Sequence, residues 1–367
     1  MIYEQLGVRP VINASATLTK LGGSRMPEPV VEAMRQASTS FIDLFEFQEL
    51  AGKRIAEMTG NEAAFICSGA AAGITLTVAT CIAGNEPDDR FVFPQLEGIE
   101  RNEVLCRPDQ PSPYRYAANI TGAKIVEVGG DLDEFIGGIT SRTACILWFA
   151  GSLSDSSPPL ADVIREAKKL RVPVIVDAAA QIPPMSNLSY FTRELGADVA
   201  IFSGGKGLRG PQTTGLILGR RDIILGCSVH GAPNQALGRP MKVAKEDIAG
   251  ILTALEWSMS QDEPALLQRY EDVVKYWLDG VQDIPGVTGE RGFPSEAGQP
   301  HPRAILNLGP EAALDRNQLV ERLWNRNPRI AVSEDEKIAV ALNPQTIEPG
   351  EEKVVLAAIR EEFGMSS

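Results

Sequence analysis

The stretch that decides the fold reads Val174-Ile175-Val176-Asp177-Ala178-Ala179-Ala180-Gln181-Ile182-Pro183-Pro184 and, further on, Ala197-Asp198-Val199-Ala200-Ile201-Phe202-Ser203-Gly204-Gly205-Lys206-Gly207-Leu208-Arg209-Gly210-Pro211-Gln212. Two short apolar runs rich in β-branched residues each deliver one ionisable side chain where the strand stops, Asp177 and then Lys206. In an open α/β sheet, ligands bind in the crevice beyond the carboxyl ends of the strands. A lysine framed by glycines at such a point is suited to trapping a carbonyl, and an acid at a neighbouring strand end could hold a ring nitrogen protonated. The segment is not a nucleotide P-loop: that pattern needs glycine where Ala200 stands and a hydroxyl residue where Gly207 stands. A surface turn with a solvated lysine is the plainer reading of any single Gly-Lys pair. The ordered pair of strand ends, with Ser203 just before the glycines, outweighs it.

Working outward, Ala63–Cys67, Glu103–Cys106, Lys124–Val128, Ala144–Phe149, Val172–Asp177 and Ala197–Phe202 read as strands, with helical spacing at Phe47–Thr59, Ile74–Ala83 and Leu160–Leu170. Strands alternating with helices predict a mainly parallel sheet with right-handed crossovers. Thr214–Gly219 follows Lys206 too closely for a helical crossover, so it is expected to run antiparallel. Gly60 is a candidate helix cap. After Cys67 comes Ser68-Gly69-Ala70-Ala71-Ala72-Gly73 and then a helix, an arrangement that offers backbone N–H groups to a phosphate. A tight strand-to-helix turn without a ligand has the same composition, so that alternative stays open.

The N-terminal residues up to about 28 have no strong period and read as an irregular arm that packs on a partner or over a site; Val8–Leu21 is too apolar for a disordered terminus. Helical patterns run from Asp247 to about Val281, and the remainder alternates strand-like Ala304–Leu308 and Ile338–Leu342 with helical Arg316–Asn325 and Glu351–Phe363. The expected domains are 1–45, an arm and small-domain segment; 46–245, a large ligand-binding α/β domain; and 246–367, a small α+β domain.

Composition narrows the function. The chain has 367 residues, 44% hydrophobic and 23% charged, which suits a globular protein with an ample core. A net charge of −13 argues against broad nucleic-acid binding, which needs clustered Lys and Arg. Its two histidines, His230 and His301, leave no material for a His-rich metal site. Five scattered cysteines read as reduced, mostly buried thiols, and no signal peptide or membrane-length apolar run is recognised, so a cytoplasmic location is expected.

With these residues placed, the chain resembles the fold-type I pyridoxal-phosphate (PLP) enzymes of aspartate aminotransferase-like fold, with a large mixed-sheet domain and a small α+β domain. More closely it resembles the selenocysteine synthase (SelA)-like branch, which includes D-glucosaminate-6-phosphate ammonia-lyase. Val11-Ile12-Asn13-Ala14, Ile55–Gly60, Cys67–Ala72, Val176–Gln181, Ser203–Gln212 and Gly238-Arg239-Pro240-Met241-Lys242-Val243 with Lys245-Glu246 carry the likeness in order. It implies that Lys206 bonds the cofactor aldehyde and shuttles the substrate α-proton, while Asp177 holds the pyridine nitrogen protonated. Gln181 would face the ring's phenolic oxygen, and Ser68, Gly69 and Ala70 would cradle the phosphate with help from Ser203. Arg209, and Arg239 or Lys242 from this or a second subunit, are candidates for a substrate carboxylate or phosphate, since an arginine fork suits planar carboxylates. A solvated helix start or a subunit salt bridge would account for these three equally well.

The chain departs from the branch in one loop. Relatives often carry a histidine after the strand that ends at Cys106; here the stretch is Arg107-Pro108-Asp109-Gln110-Pro111-Ser112-Pro113-Tyr114, with Gln110 at the matching place. Gln110 is therefore grouped with the substrate-binding candidates. The resemblance implies a homodimer or larger homo-oligomer and a lyase acting on a small polar or phosphorylated amino acid by α,β-elimination, ammonia-lyase type. Rival readings keep the cofactor but perform β-replacement (selenium or sulfur transfer), racemisation, aldol cleavage or transamination. A further rival is a non-catalytic protein on the same scaffold. A tRNA-bound substrate is not expected, given the charge and the expectation that the tRNA-binding N-terminal domain of bacterial selenocysteine synthase has no counterpart here.

Overall fold

The computed structural model describes residues 2–86, 88, 91–110, 112–151, 158–335 and 338–365. Two compact units emerge, Met1–Arg25 with Gln261–Ser367, and Met26–Ser260. The first opens with α1 (Ile2–Gln5) and β1 (Val11–Asn13).

The larger unit contains α2 (Glu28–Ala37), α3 (Leu44–Thr59), β2 (Ala63–Cys67), α4 (Gly69–Ala83), β3 (Glu103–Cys106), α5 (Tyr116–Asn119), β4 (Lys124–Glu127) and α6 (Leu132–Gly137). It continues with β5 (Thr143–Phe149), α7 (Leu160–Lys169), β6 (Val174–Asp177), α8 (Asn187–Ser189), β7 (Val199–Ser203), β8 (Gly215–Gly219), α9 (Arg221–His230) and α10 (Lys245–Met259). Its seven strands lie in the order β2-β8-β7-β6-β5-β3-β4. The pairs β7–β6, β6–β5, β5–β3 and β3–β4 are parallel, and β8 runs antiparallel to both β7 and β2, as its short connection requires.

Strand residues alternate between two cores. Ile66, Leu105, Ile146, Trp148, Val176 and Phe202 face a layer formed by α2, α3, α7 and α10. Cys67, Val104, Leu147, Phe149, Ile175 and Ile201 face α4. Because the central strands are covered on both sides, β5 is buried at every position and reads as an unbroken apolar run. Helix α4 is buried through most of its length for the same reason, whereas α7 turns Val163, Ile164 and Ala167 inward and its charged residues outward. Helix α3 is framed by local chemistry: the Asp43 carboxylate accepts from the Phe45 and Glu46 N–H groups, and Gly60 ends it at φ 68°.

The smaller unit adds α11 (Glu263–Asp279), β9 (Val287–Gly292), β10 (Arg303–Leu308), α12 (Arg316–Asn325), β11 (Arg329–Ala331), β12 (Ser333–Asp335), β13 (Ala339–Leu342) and α13 (Glu351–Glu362). An antiparallel sheet β12-β13-β10-β9 forms its centre, and β1 pairs in parallel with β11. Two boundaries differ from the expected 45/46 and 245/246. Residues 26–45 and α10 belong to the larger unit, because Val30, Ile248, Ile251, Ala254 and Leu255 are buried in its core. The N-terminal arm is no loose cover: Ile12 and Ala14 are buried in the smaller unit's core, and Ala14 N–H donates to Ala331 O at 2.9 Å. The helical patterns expected from Asp247 to about Val281 form two helices, because Asp262 caps a new start with Pro264 in its first turn. No helix among the described residues is long and apolar enough to cross a membrane.

Candidate active site

All strands of the large sheet except β8 point the same way, so their carboxyl ends share one edge. Cys67 pairs with Gly215, and Gly215 with Ser203, so the turn after β2 and the loop after β7 meet across the antiparallel strand. On the next strand Asp177 pairs with Ile201 on one side and Phe149 on the other. Strand alternation turns Asp177 and Ser203 toward the α4 face, since Ile175 and Ile201 are packed there.

Asp177 is partly exposed as a residue but its carboxylate is buried, and Oδ1 accepts the Ala179 N–H at 2.9 Å. Burial raises its carboxyl above the ordinary range, opposed by the Ala179 N–H and by the positive charge of Lys206. The two residues thus lie near enough for the charge of one to act on the other. A buried carboxylate of this kind is relieved by a protonated ring nitrogen, and a half-buried lysine beside it suits a carbonyl.

The loop carrying Lys206 is held tightly. Gly204 N–H donates to Thr214 O, and Gly210 N–H to Gly204 O, each at 2.8 Å. At Gly207 a β-carbon would stand 2.1 Å from Ile182 O, so the loop presses on the residue after Gln181 and admits no side chain there. Gln181 is buried, with its carbonyl accepting Asn187 Nδ2 at 2.7 Å.

Ser68 precedes α4 without capping it, which leaves the first-turn N–H groups to another acceptor. Gly69 has φ 82° with open space beyond its α-carbon, while a β-carbon at Gly215 would lie 2.6 Å from Gly69 C and 2.9 Å from Ala70 N. The turn before α4 is therefore flanked by bare backbone at Gly69 and Gly215. An uncapped helix start, a buried acid and a lysine along one edge fit the phosphate, ring nitrogen and aldehyde of PLP.

Of the basic candidates, Arg209 shares the lysine loop, where its N–H donates to Lys206 O at 3.0 Å. Arg209, at φ 54°, lies over the Trp257 ring of α10 with 5.5 Å between its guanidinium carbon and the ring centroid. Arg239 and Lys242 are exposed at and beside the short turn Arg239–Met241, and among the described residues no hydrogen bond or ion pair joins them to Lys206 or Asp177. Gln110 is 2% exposed, and its Oε1 accepts the Phe149 N–H at 3.2 Å. Pro111 lies outside the described residues; the Tyr114 ring is 6.0 Å from that of Phe149. Sequence reasoning missed Arg107 and Arg115, both buried, which tie this loop to Gly130 O and to Gln110 O. A lone arginine in a polar loop gives no signal of burial.

No family model matches the sequence. The chain is 32% identical to the D-glucosaminate-6-phosphate ammonia lyase of Salmonella typhimurium over 70% of its length and 69% of that protein's. It is 31% identical to a 5'-C-glycyluridine monooxygenase-decarboxylase of a Streptomyces species, covering 97% of this chain and 90% of the other. A solved structure of D-glucosaminate-6-phosphate ammonia-lyase superposes with a TM-score of 0.84 at 28% identity, covering 99% of this chain and 98% of that one. These similarities establish that the chain belongs to the SelA-like, D-glucosaminate-6-phosphate ammonia-lyase family of fold-type I PLP-dependent enzymes.

Proposed function

We propose that this enzyme is a lyase that eliminates a β-substituent from a small polar or phosphorylated amino acid and releases ammonia. The observation that carries the reading is Asp177 at the end of β6 and the Lys206 loop directly after the adjacent β7, in the fold shared with the ammonia-lyase. Bound PLP supplies an aldehyde for the amine and a ring that withdraws electrons from the α-carbon. Lys206 Nζ takes the α-proton, and Asp177 holds the ring nitrogen's proton in place through its buried carboxylate. The α4 N-terminus at Ser68–Ala70, with Ser203 beside it, binds the phosphate. Gln181 faces the phenolic oxygen. With water as the leaving group, loss of the α-proton and the β-hydroxyl gives an enamine, which takes up one water to yield a keto acid and ammonia.

A second reading keeps these residues and changes the fate of the α-carbon: β-replacement, racemisation, aldol cleavage, transamination or oxygen-dependent decarboxylation. Similarity over 97% of the chain to a protein named monooxygenase-decarboxylase favours including the last. We also infer a homodimer or larger assembly, supported by the exposed Phe41, Ile42, Phe45 and Leu50. The five cysteines, free in the structure, suit a reducing cytoplasm.

The deciding experiment is the visible spectrum of the purified protein before and after borohydride reduction, with peptide mapping. A band that bleaches and a label on Lys206 are expected. A hydroxylated amino-acid panel then scored for ammonia, carbon dioxide and oxygen uptake separates the two readings. Carbon dioxide with oxygen uptake and no ammonia would overturn the lyase assignment.

A further inference from the structure

The loop after β3 contains a buried donor that the roles above leave unused. In the β5–β6 ladder Ala150 N–H bonds to Asp177 O, so the neighbouring Phe149 N–H points the other way, toward β3. Strand β3 has already ended at Cys106, and the Gln110 side chain supplies the missing rung by accepting that N–H on Oε1. Because a backbone N–H can only donate, this contact settles which end of the amide is oxygen. Nε2 must then face away, and it is buried without a hydrogen-bond partner among the described residues.

Its position is not casual. From β3 the chain moves outward to β4, whereas β5 sits on the other side of β3 and is followed inward by β6. The crevice where such connections diverge is where ligands bind in open α/β sheets. Gln110 occupies it, about 10 Å across β5 from Asp177 by strand spacing. Its loop is braced as a binding element would be: Arg107 donates to Gly130 O at 3.0 Å and pairs with Asp109 at 3.0 Å. Arg115 donates to Gln110 O at 2.6 Å and to Arg107 O, and pairs with Glu127.

Resting on the PLP reading, we propose that Gln110 positions the substrate, its Nε2 donating a hydrogen bond to the α-carboxylate of the bound amino acid. Asp177, Gln181 and the α4 N-terminus are already matched to the cofactor's nitrogen, phenolic oxygen and phosphate. Arg209 lies over Trp257, while the Gln110 amide nitrogen is a buried donor without a partner among the described residues. An amide does not titrate, so this contact selects for the carboxylate without a pH limb of its own.

The test uses the holoenzyme and compares an amino acid with the amine that lacks its carboxylate, each titrated by the change in the visible band. Gln110→Glu keeps the acceptor for Phe149 N–H but replaces the donor with a negative acceptor. It should keep the band and the Lys206 label, yet weaken the amino acid about tenfold or more while leaving the amine unchanged. Should Gln110→Glu not fold, Gln110→Met is read in the same cycle with the same expectation. Equal weakening of amine and amino acid, or unchanged affinity for both, overturns the proposal. A wild-type protein with no band and no label would instead overturn the PLP reading on which it rests.

Discussion

Asp177 carries a cost when the cofactor is absent. Its folded-state carboxyl is raised by burial, so the folded protein holds a proton that the unfolded chain loses at ordinary carboxylate pH. Stability from this group is present in acid and lost as pH rises through the raised value. Cofactor-free Asp177→Asn should therefore melt higher than cofactor-free wild type at pH 7, with the gap closing near pH 4, while its affinity for PLP falls. Parallel calorimetry and absorbance titration check both halves. His301 behaves in the opposite sense. It is fully buried against Gln299 and the Tyr270 ring, and burial lowers its pKa from 6.5 to about 4. Stability is therefore present above pH 6.5 and lost as pH falls through about 4, by an order of about 3 kcal/mol. Chemical melts of wild type and His301→Gln across that window should converge toward the acid end.

At the scale of elements, the pairing of β2, β8 and β7 matters most, because it brings the turn before α4 to the lysine loop. Gly215→Ala would place a β-carbon 2.6 Å from Gly69 C, against backbone that cannot rotate away. It should cost about 1–3 kcal/mol in denaturant melts of the cofactor-free protein and weaken PLP in absorbance titrations. A loss of stability with unchanged PLP affinity would show that the cradle lies elsewhere. Elements were legible where their residues repeat a burial pattern: the all-apolar β5 and the amphipathic α7 read directly from the chain. β9, with Thr288-Gly289-Glu290-Arg291 mostly exposed, and the three-residue β11 and β12 lack enough apolar residues to show a period. Helix α9 escaped notice because Ile223, Ile224 and Cys227 are buried in a stretch broken by Gly226.

For the whole molecule, the exposed apolar side chains around α3 predict self-association. Phe41 is fully exposed, and Ile42, Phe45 and Leu50 lie close to it in sequence. Light scattering of the wild-type protein should give a dimer or larger, and Phe41→Asp with Phe45→Asp should shift it toward the monomer without altering its far-ultraviolet circular dichroism. A monomeric wild type would remove the assembly inference and leave the Lys206 chemistry untouched.

The chain by itself determined the strand ends at Asp177 and near Lys206, the antiparallel β8 and the family, because apolar runs, glycine punctuation and short connections are local signals. Only the tertiary structure set Gly69 against Gly215, turned Arg209 onto Trp257, drew the N-terminal arm into the smaller unit and placed Gln110 on the Phe149 N–H. Each of those depends on segments far apart in the chain. Which of them meet is decided by how buried surfaces pack and how backbone groups pair, and no short window of sequence contains that information.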